Sequence, residues 1–260
     1  MFDFITLETD DRGVAYLTLN RPDKHNAMGA QMIAEITAAC GEISADPAIR
    51  VVVLAANGKS FCAGGDLDWM RAQMEMPPAT RADEAMKLAR MLQAIDQLPQ
   101  PVIGRLQGNA LGGGVGMASV CDIAIGTDAV KMGLTETRLG LIPATIGPYV
   151  IARMGAANAR RVFMSARIFD AVEAQSLGLL ARVVAPNDLD AAIEAEITPY
   201  LSCAPGAVAS AKALIHQLAA PVSEDMLAQT AAALVARWES PESAEGIAAF
   251  FEKRKATWML

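Results

Sequence analysis

The run Ile49-Arg50-Val51-Val52-Val53-Leu54-Ala55 constrains the fold more than any other stretch of the chain. It is an almost uninterrupted β-branched and aliphatic segment, with no polar alternation. Such a run suits a strand covered on both faces rather than one with a solvated side. A strand of that kind needs helices packed above and below its sheet, the layered arrangement of α/β proteins. Composition agrees, because 53% of the residues are hydrophobic and only 5% aromatic. A core of small and aliphatic side chains lets helices sit close on sheets, and hydrophobicity at this level excludes a disordered chain. A length of 260 residues fits one large α/β domain, or one with a smaller appendage.

Other elements follow from the same reading. Residues 3–7 and 14–19 predict two strands joined around Asp10-Asp11-Arg12-Gly13, a hairpin signal. Residues 28–44 predict a helix with Met32, Ile33, Ile36 and Ile43 on one face. After the buried run comes a glycine-bearing loop, Phe61-Cys62-Ala63-Gly64-Gly65-Asp66, with a short helix at Leu67 to Met70. A long helix is expected over 80–98, stopped by Leu98-Pro99-Gln100-Pro101. Residues 102–107 are strand-like and run into a loop, Gly108 to Gly114, with a helix from there to Val120. Strands are expected at 122–126 and 130–133, and mainly helical patterns over 146–260. The expected organisation is a core of repeated β-then-helix units over 1–195 and a helical region over 196–260.

The net charge of -7 argues against nucleic acid or a membrane surface as partner, but not against an anionic small molecule. Cys40, Cys62, Cys121 and Cys203 form no CxxC pair and read as reduced thiols. The N-terminus lacks a basic region followed by an apolar run, so no signal peptide is expected. No stretch has the apolar length of a membrane span. The expected location is the cytoplasm.

Three places could carry chemistry. Gly112-Gly113-Gly114 lies between a predicted strand and helix, where backbone can approach a ligand and free helix amides can meet an anion. Tight packing alone is the other reading. A phosphate-binding P-loop would need a Lys after the glycines, and a dinucleotide pattern fails because position 117 is Met. Ala63-Gly64-Gly65-Asp66 also follows a buried strand, and Asp66 could cap the next helix. Two strand-end loops with free amides could together stabilise an oxyanion. Glu136, in a mostly apolar segment, suits a general acid/base with a raised pKa, or else an ion pair with Arg138. His25 and His216 lie in no zinc motif, G-x-S-x-G is missing, and Cys62 reads better as a packing residue than as a nucleophile.

Taken together, Asn20 to Ala27, Phe61 to Asp66, Gly108 to Gly116, Cys121 to Ala124, Glu136 to Pro143 and Phe250 to Lys255 resemble the crotonase (enoyl-CoA hydratase/isomerase) superfamily. The resemblance implies an α/β fold: a spiral of β-β-α units with a helical C-terminal trimerisation region, assembled as a homotrimer or hexamer. It implies an acyl-CoA substrate, with oxyanion amides at Ala63 and Gly113 and Glu136 as acid/base. It implies coenzyme A contacts at Asp23, Lys24, His25, Ala27, Gly64, Gly65 and Asp66, with Lys253 reaching the coenzyme A of a neighbouring subunit. No metal or separate cofactor is implied, since coenzyme A is part of the substrate. Two-glutamate hydratases of this family carry a second Glu where this chain has Gly116. One glutamate suits double-bond isomerisation. Yet Leu134 to Ile146, Gly112 to Gly116 and Asp66 to Met70 are similar to bacterial methylglutaconyl-CoA hydratase-like proteins, a branch that resembles this chain in lacking that Glu. Hydration of a methylglutaconyl-like enoyl-CoA is therefore the expectation, with isomerisation or non-catalytic acyl-CoA binding as alternatives. Met70, Leu111, Pro143 and the 75–90 region are expected to wall the pocket.

Overall fold

The computed structural model describes residues 2–219 and 222–258. Strands β1 (Ile5–Thr9) and β2 (Val14–Leu19) form the antiparallel hairpin that the turn residues predict. Helix α1 (Ala30–Ala45) leads to β3 (Val51–Ala56), followed by the short β4 (Ser60–Cys62), α2 (Leu67–Glu75) and α3 (Pro78–Asp96). The next turn of chain repeats the pattern with β5 (Val102–Leu106), β6 (Asn109–Leu111) and α4 (Gly113–Val120). A third turn supplies β7 (Ile123–Thr127), β8 (Lys131–Gly133) and a 3-10 helix at Glu136–Leu139, then α5 (Gly147–Met154) and α6 (Ala156–Val162). The remainder is β9 (Ile168–Asp170), α7 (Ala171–Ser176), β10 (Arg182–Val184), α8 (Leu189–Leu201), α9 (Pro205–Leu218), α10 (Glu224–Trp238) and α11 (Pro241–Phe251).

The strands form two sheets, one ordered β1-β2-β3-β5-β7-β10 and the other β4-β6-β8-β9. Each turn of chain gives one strand to each sheet, and these neighbours pair in parallel. This is the expected spiral of β-β-α units. The strands β4, β6, β9 and β10 are not among the sequence expectations. Three residues each are too few to show a period, and only their distant partners make them strands. Helix α2 also runs on to Glu75, past the expected stop at Met70.

The buried run behaves as its composition requires. Val51, Val53 and Ala55 of β3 pack toward Leu189, Ala192, Ile193 and Ile197 of α8. Val52, Leu54 and Ala56 pack into the opposite layer, with Ile33 and Ile36 of α1 and Leu92 and Ile95 of α3. Each fully buried aliphatic side chain contributes about 1.5–3 kcal/mol, so β3 anchors the centre of the sheet from both sides. Residue 195 lies inside α8, a helix that covers the larger sheet. Beyond it, α10 packs along α3, and α11 packs on the 3-10 helix that carries Glu136. Residues 220, 221, 259 and 260 of the expected helical region lie outside the described residues. Among the described residues no helix is long and apolar enough to cross a membrane.

Candidate active site

The loop after β4 is held by a ladder to the segment 25–28. Ala63 N–H donates to the His25 carbonyl at 3.0 Å, Met28 N–H to Gly64 O at 2.8 Å, and Asp66 N–H to Met28 O at 2.8 Å. Asn26 fastens the segment from the other side: its Nδ2 donates to Asn57 O (2.8 Å) and Ser60 O (2.9 Å), and its Oδ1 accepts from Arg21 N–H (2.8 Å). The bonding pattern sorts the amides of the glycine loop. The Ala63 N–H is already used, whereas the Gly65 N–H meets no protein acceptor among the described residues. The expectation that Ala63 supplies an oxyanion amide is therefore corrected. The free donor of this loop is Gly65, because a backbone N–H bonded to a carbonyl cannot also be aimed at a ligand.

Asp66 does cap α2. Its Oδ1 accepts from Asp68 N–H (2.9 Å) and Trp69 N–H (3.0 Å), and its Oδ2 from Arg21 Nη1 (2.7 Å). Burial pushes this carboxyl up, but the bonds from Trp69 and Arg21 outweigh it and hold the group below the usual carboxylate range. Asp66 is thus committed to structure: it orients α2 and fixes the end of the Gly65 loop.

The second donor stands at the start of α4. Gly113 is the first residue of that helix, and its N–H likewise has no protein acceptor among the described residues. Gly112 precedes it with φ 49, a left-handed conformation that favours glycine. A Cβ on Gly112 would also lie 3.1 Å from Glu136 Oε1 and 3.8 Å from Gly64 Cα. The two glycine loops and the glutamate therefore crowd together, and only a residue without a side chain fits between them.

Glu136 opens the 3-10 helix after β8. Its Oε2 is buried without a hydrogen-bond partner among the described residues, while the residue as a whole keeps some surface toward the cavity. Burial raises the carboxyl from its ordinary 4.5 to about 7. No ion pair with Arg138 forms among the described residues, so the ion-pair reading of this glutamate falls. The turn that carries Glu136 is braced from behind. Leu141 N–H donates to the Glu136 carbonyl (3.1 Å), and Arg237 of α10 donates to the Gly140 carbonyl (2.8 Å). Gly140 and Gly246 also lie too close to backbone of the facing segment to admit a Cβ.

Ala63, Gly64, Gly65, Gly113 and Glu136 all line one cavity of about 380 Å³. Met70, Leu111 and Pro143 line it as expected, and the 75–90 region contributes Leu88. The C-terminal helices close it with Leu234, Trp238 and Phe250. Asp23, Lys24, His25, Ala27, Asp66 and Lys253 do not line it. Lys24 lies 3.8 Å from Asp68 at the surface, and His25 Nδ1 is 3.1 Å from Ser60 Oγ. Lys253 is exposed just past α11, three residues beyond Phe250. Cys62 is fully buried and its thiol is pushed up to about 12, which leaves it no nucleophile. No group of three or more potential metal ligands occurs among the described residues.

Two features had no clear sequence signal. Gly65 is indistinguishable from its neighbours until the ladder to 25–28 is known. Ile146 stands where a residue at 116 would project: a Cβ on Gly116 would lie 2.5 Å from Ile146 Cγ2 and 2.9 Å from Ile146 Cβ. An aliphatic side chain thus fills the direction that a second carboxylate would need.

Comparison with known proteins places this geometry. The family profile described as enoyl-CoA hydratase/isomerase matches residues 9–259. The crystal structure of an enoyl-CoA hydratase from Shewanella pealeana is 37% identical, with a TM-score of 0.82, covering 99% of this chain and 97% of that one. An enoyl-CoA hydratase structure from Mycobacterium avium is 31% identical, with a TM-score of 0.89 and full coverage of both chains. An enoyl-CoA hydratase/isomerase structure from Pseudoalteromonas atlantica is 30% identical, with a TM-score of 0.84, covering 99% of this chain and 100% of that one.

Proposed function

The chain belongs to the enoyl-CoA hydratase/isomerase family, and from that premise we propose that it hydrates a branched 2-enoyl-CoA of the methylglutaconyl type with Glu136 as its single acid/base. The observation that carries this reading is the placement of an unpartnered, buried Glu136 carboxylate beside two free amides, Gly65 and Gly113, in one apolar cavity. The thioester oxygen sits between those two N–H groups. Water adds to C3 as Glu136 takes its proton, and the electrons of the C2=C3 bond move toward the thioester oxygen. The two amides hold the enolate charge, in a site where each such donor contributes on the order of 3 kcal/mol. Glu136 then returns the proton to C2. A carboxyl near 7 can serve in both directions, since it is neither a poor base nor a poor acid at neutral pH. The methylglutaconyl assignment draws support from Leu134 to Ile146. That segment carries the closer sequence resemblance, and it also supplies a wall of the cavity from Thr135 to Ile146.

A second reading rests on the same single carboxylate. With Ile146 against Gly116, Glu136 has no carboxylate at 116 to share the proton work. It could instead take a proton from C2 of a 3-enoyl thioester and return it to C4. The test is a panel of 2-enoyl and 3-enoyl thioesters, including 3-methylglutaconyl-CoA, assayed with wild type and Glu136→Gln. Hydration by wild type and its loss in the variant is the expected result. Double-bond migration without hydration overturns the hydratase assignment, and an unchanged rate in the variant overturns the role of Glu136.

A further inference from the structure

Among the described residues, Glu136 and Arg138 are the charged residues of the cavity lining. The two do not pair, and Arg138 makes no ion pair with any other carboxylate among the described residues. Its backbone N–H donates to the Thr135 carbonyl (3.2 Å), and its side chain makes no hydrogen bond among the described residues. The same lining includes the apolar Leu139, Leu141, Leu234, Trp238 and Phe250, and the Arg138 side chain is exposed to solvent as well. A guanidinium is always charged and presents a planar fork of donors that matches a carboxylate. Placed at an apolar wall without a counter-ion, it favours an anionic ligand group over a hydrocarbon one.

We infer that Arg138 receives a carboxylate at the far end of the acyl chain, so that this cavity selects coenzyme A thioesters of dicarboxylic acids. The inference rests on the thioester reading above and names the residue that would make the acyl chain's charge matter. Lysine at this position would keep the charge and lose the fork, and glutamine would lose both.

Calorimetric binding of glutaryl-CoA and pentanoyl-CoA tests it, with wild type, Arg138→Gln and Arg138→Lys. Both ligands are saturated, so no hydration or migration is involved, and a failed role for Glu136 would leave the measurement intact. Wild type should bind glutaryl-CoA more tightly than pentanoyl-CoA. That preference should fall about ten-fold or more in Arg138→Gln, the scale of a hydrogen bond to a charged group, and lie in between for Arg138→Lys. Equal weakening of both thioesters in Arg138→Gln would assign the guanidinium to coenzyme A and overturn the inference. So would a wild type that prefers pentanoyl-CoA, a result that needs no variant.

Discussion

Replacing Glu136 by Gln removes a group that burial makes costly to keep charged. In the folded protein its carboxyl titrates at about 7, against an ordinary 4.5. An acid whose pKa is raised by folding holds its proton more tightly folded than unfolded. Its ionisation therefore opposes folding, and the opposition grows as pH rises from 4.5 to about 7 and is complete above that. The separation corresponds to roughly 3 kcal/mol when the whole window is crossed. Glutamine has the shape of the protonated acid and carries no charge at any pH. The variant should therefore gain little over wild type at about pH 5 and roughly 2–3 kcal/mol more at about pH 8.5. For a chain of this size that is a Tm difference of roughly 5–10 °C between the two conditions. Thermal denaturation of both proteins at both pH values measures it, and activity should be lost while stability is gained, a trade expected where a functional group is costly to bury. A variant whose advantage is the same at both pH values would refute the argument that burial of an unpaired carboxylate sets this pKa.

Two further outcomes follow from the backbone geometry. Gly65→Pro removes one of the free amides, whereas Gly65→Ala keeps it and brings its Cβ only into ordinary contact with Met70 at 3.4 Å. Steady-state kinetics should show kcat lower in the proline variant than in the alanine variant by about 100–1000-fold. Gly116→Glu should not create a working two-carboxylate site. Its Cβ falls 2.5 Å from Ile146 Cγ2, so the variant should lose about 1–3 kcal/mol by denaturant titration, and adding Ile146→Ala should restore part of that loss.

The main strands and helices were legible because each is long enough to show a period or a sustained apolar run. Val51 to Ala56 reads as a two-faced strand, and Met32, Ile33, Ile36 and Ile43 mark one face of α1. The stop Leu98-Pro99-Gln100-Pro101 after α3 is a local signal as well. The strands β4 and β6 were not legible, although they carry the two loops of the site. A three-residue strand is defined by what it pairs with, and Cys62 pairs with Ala110 nearly fifty residues away.

The sequence alone determined that two glycine loops and one glutamate were the groups to watch, because glycine freedom and a carboxyl among apolar neighbours are properties of residue types. It could not rank the amides within Ala63-Gly64-Gly65. All three carry an N–H, and which one stays free depends on carbonyls brought from residues 25–28. Nor could it separate Glu136 from Arg138, two residues apart in the chain, until a helical turn left the glutamate's carboxyl buried near Gly112 and the arginine exposed. The tertiary structure decided these points because hydrogen bonding and burial are relations between distant segments. Ala63 is corrected to Gly65 for that reason, and Ile146 fills the space into which a side chain at 116 would project.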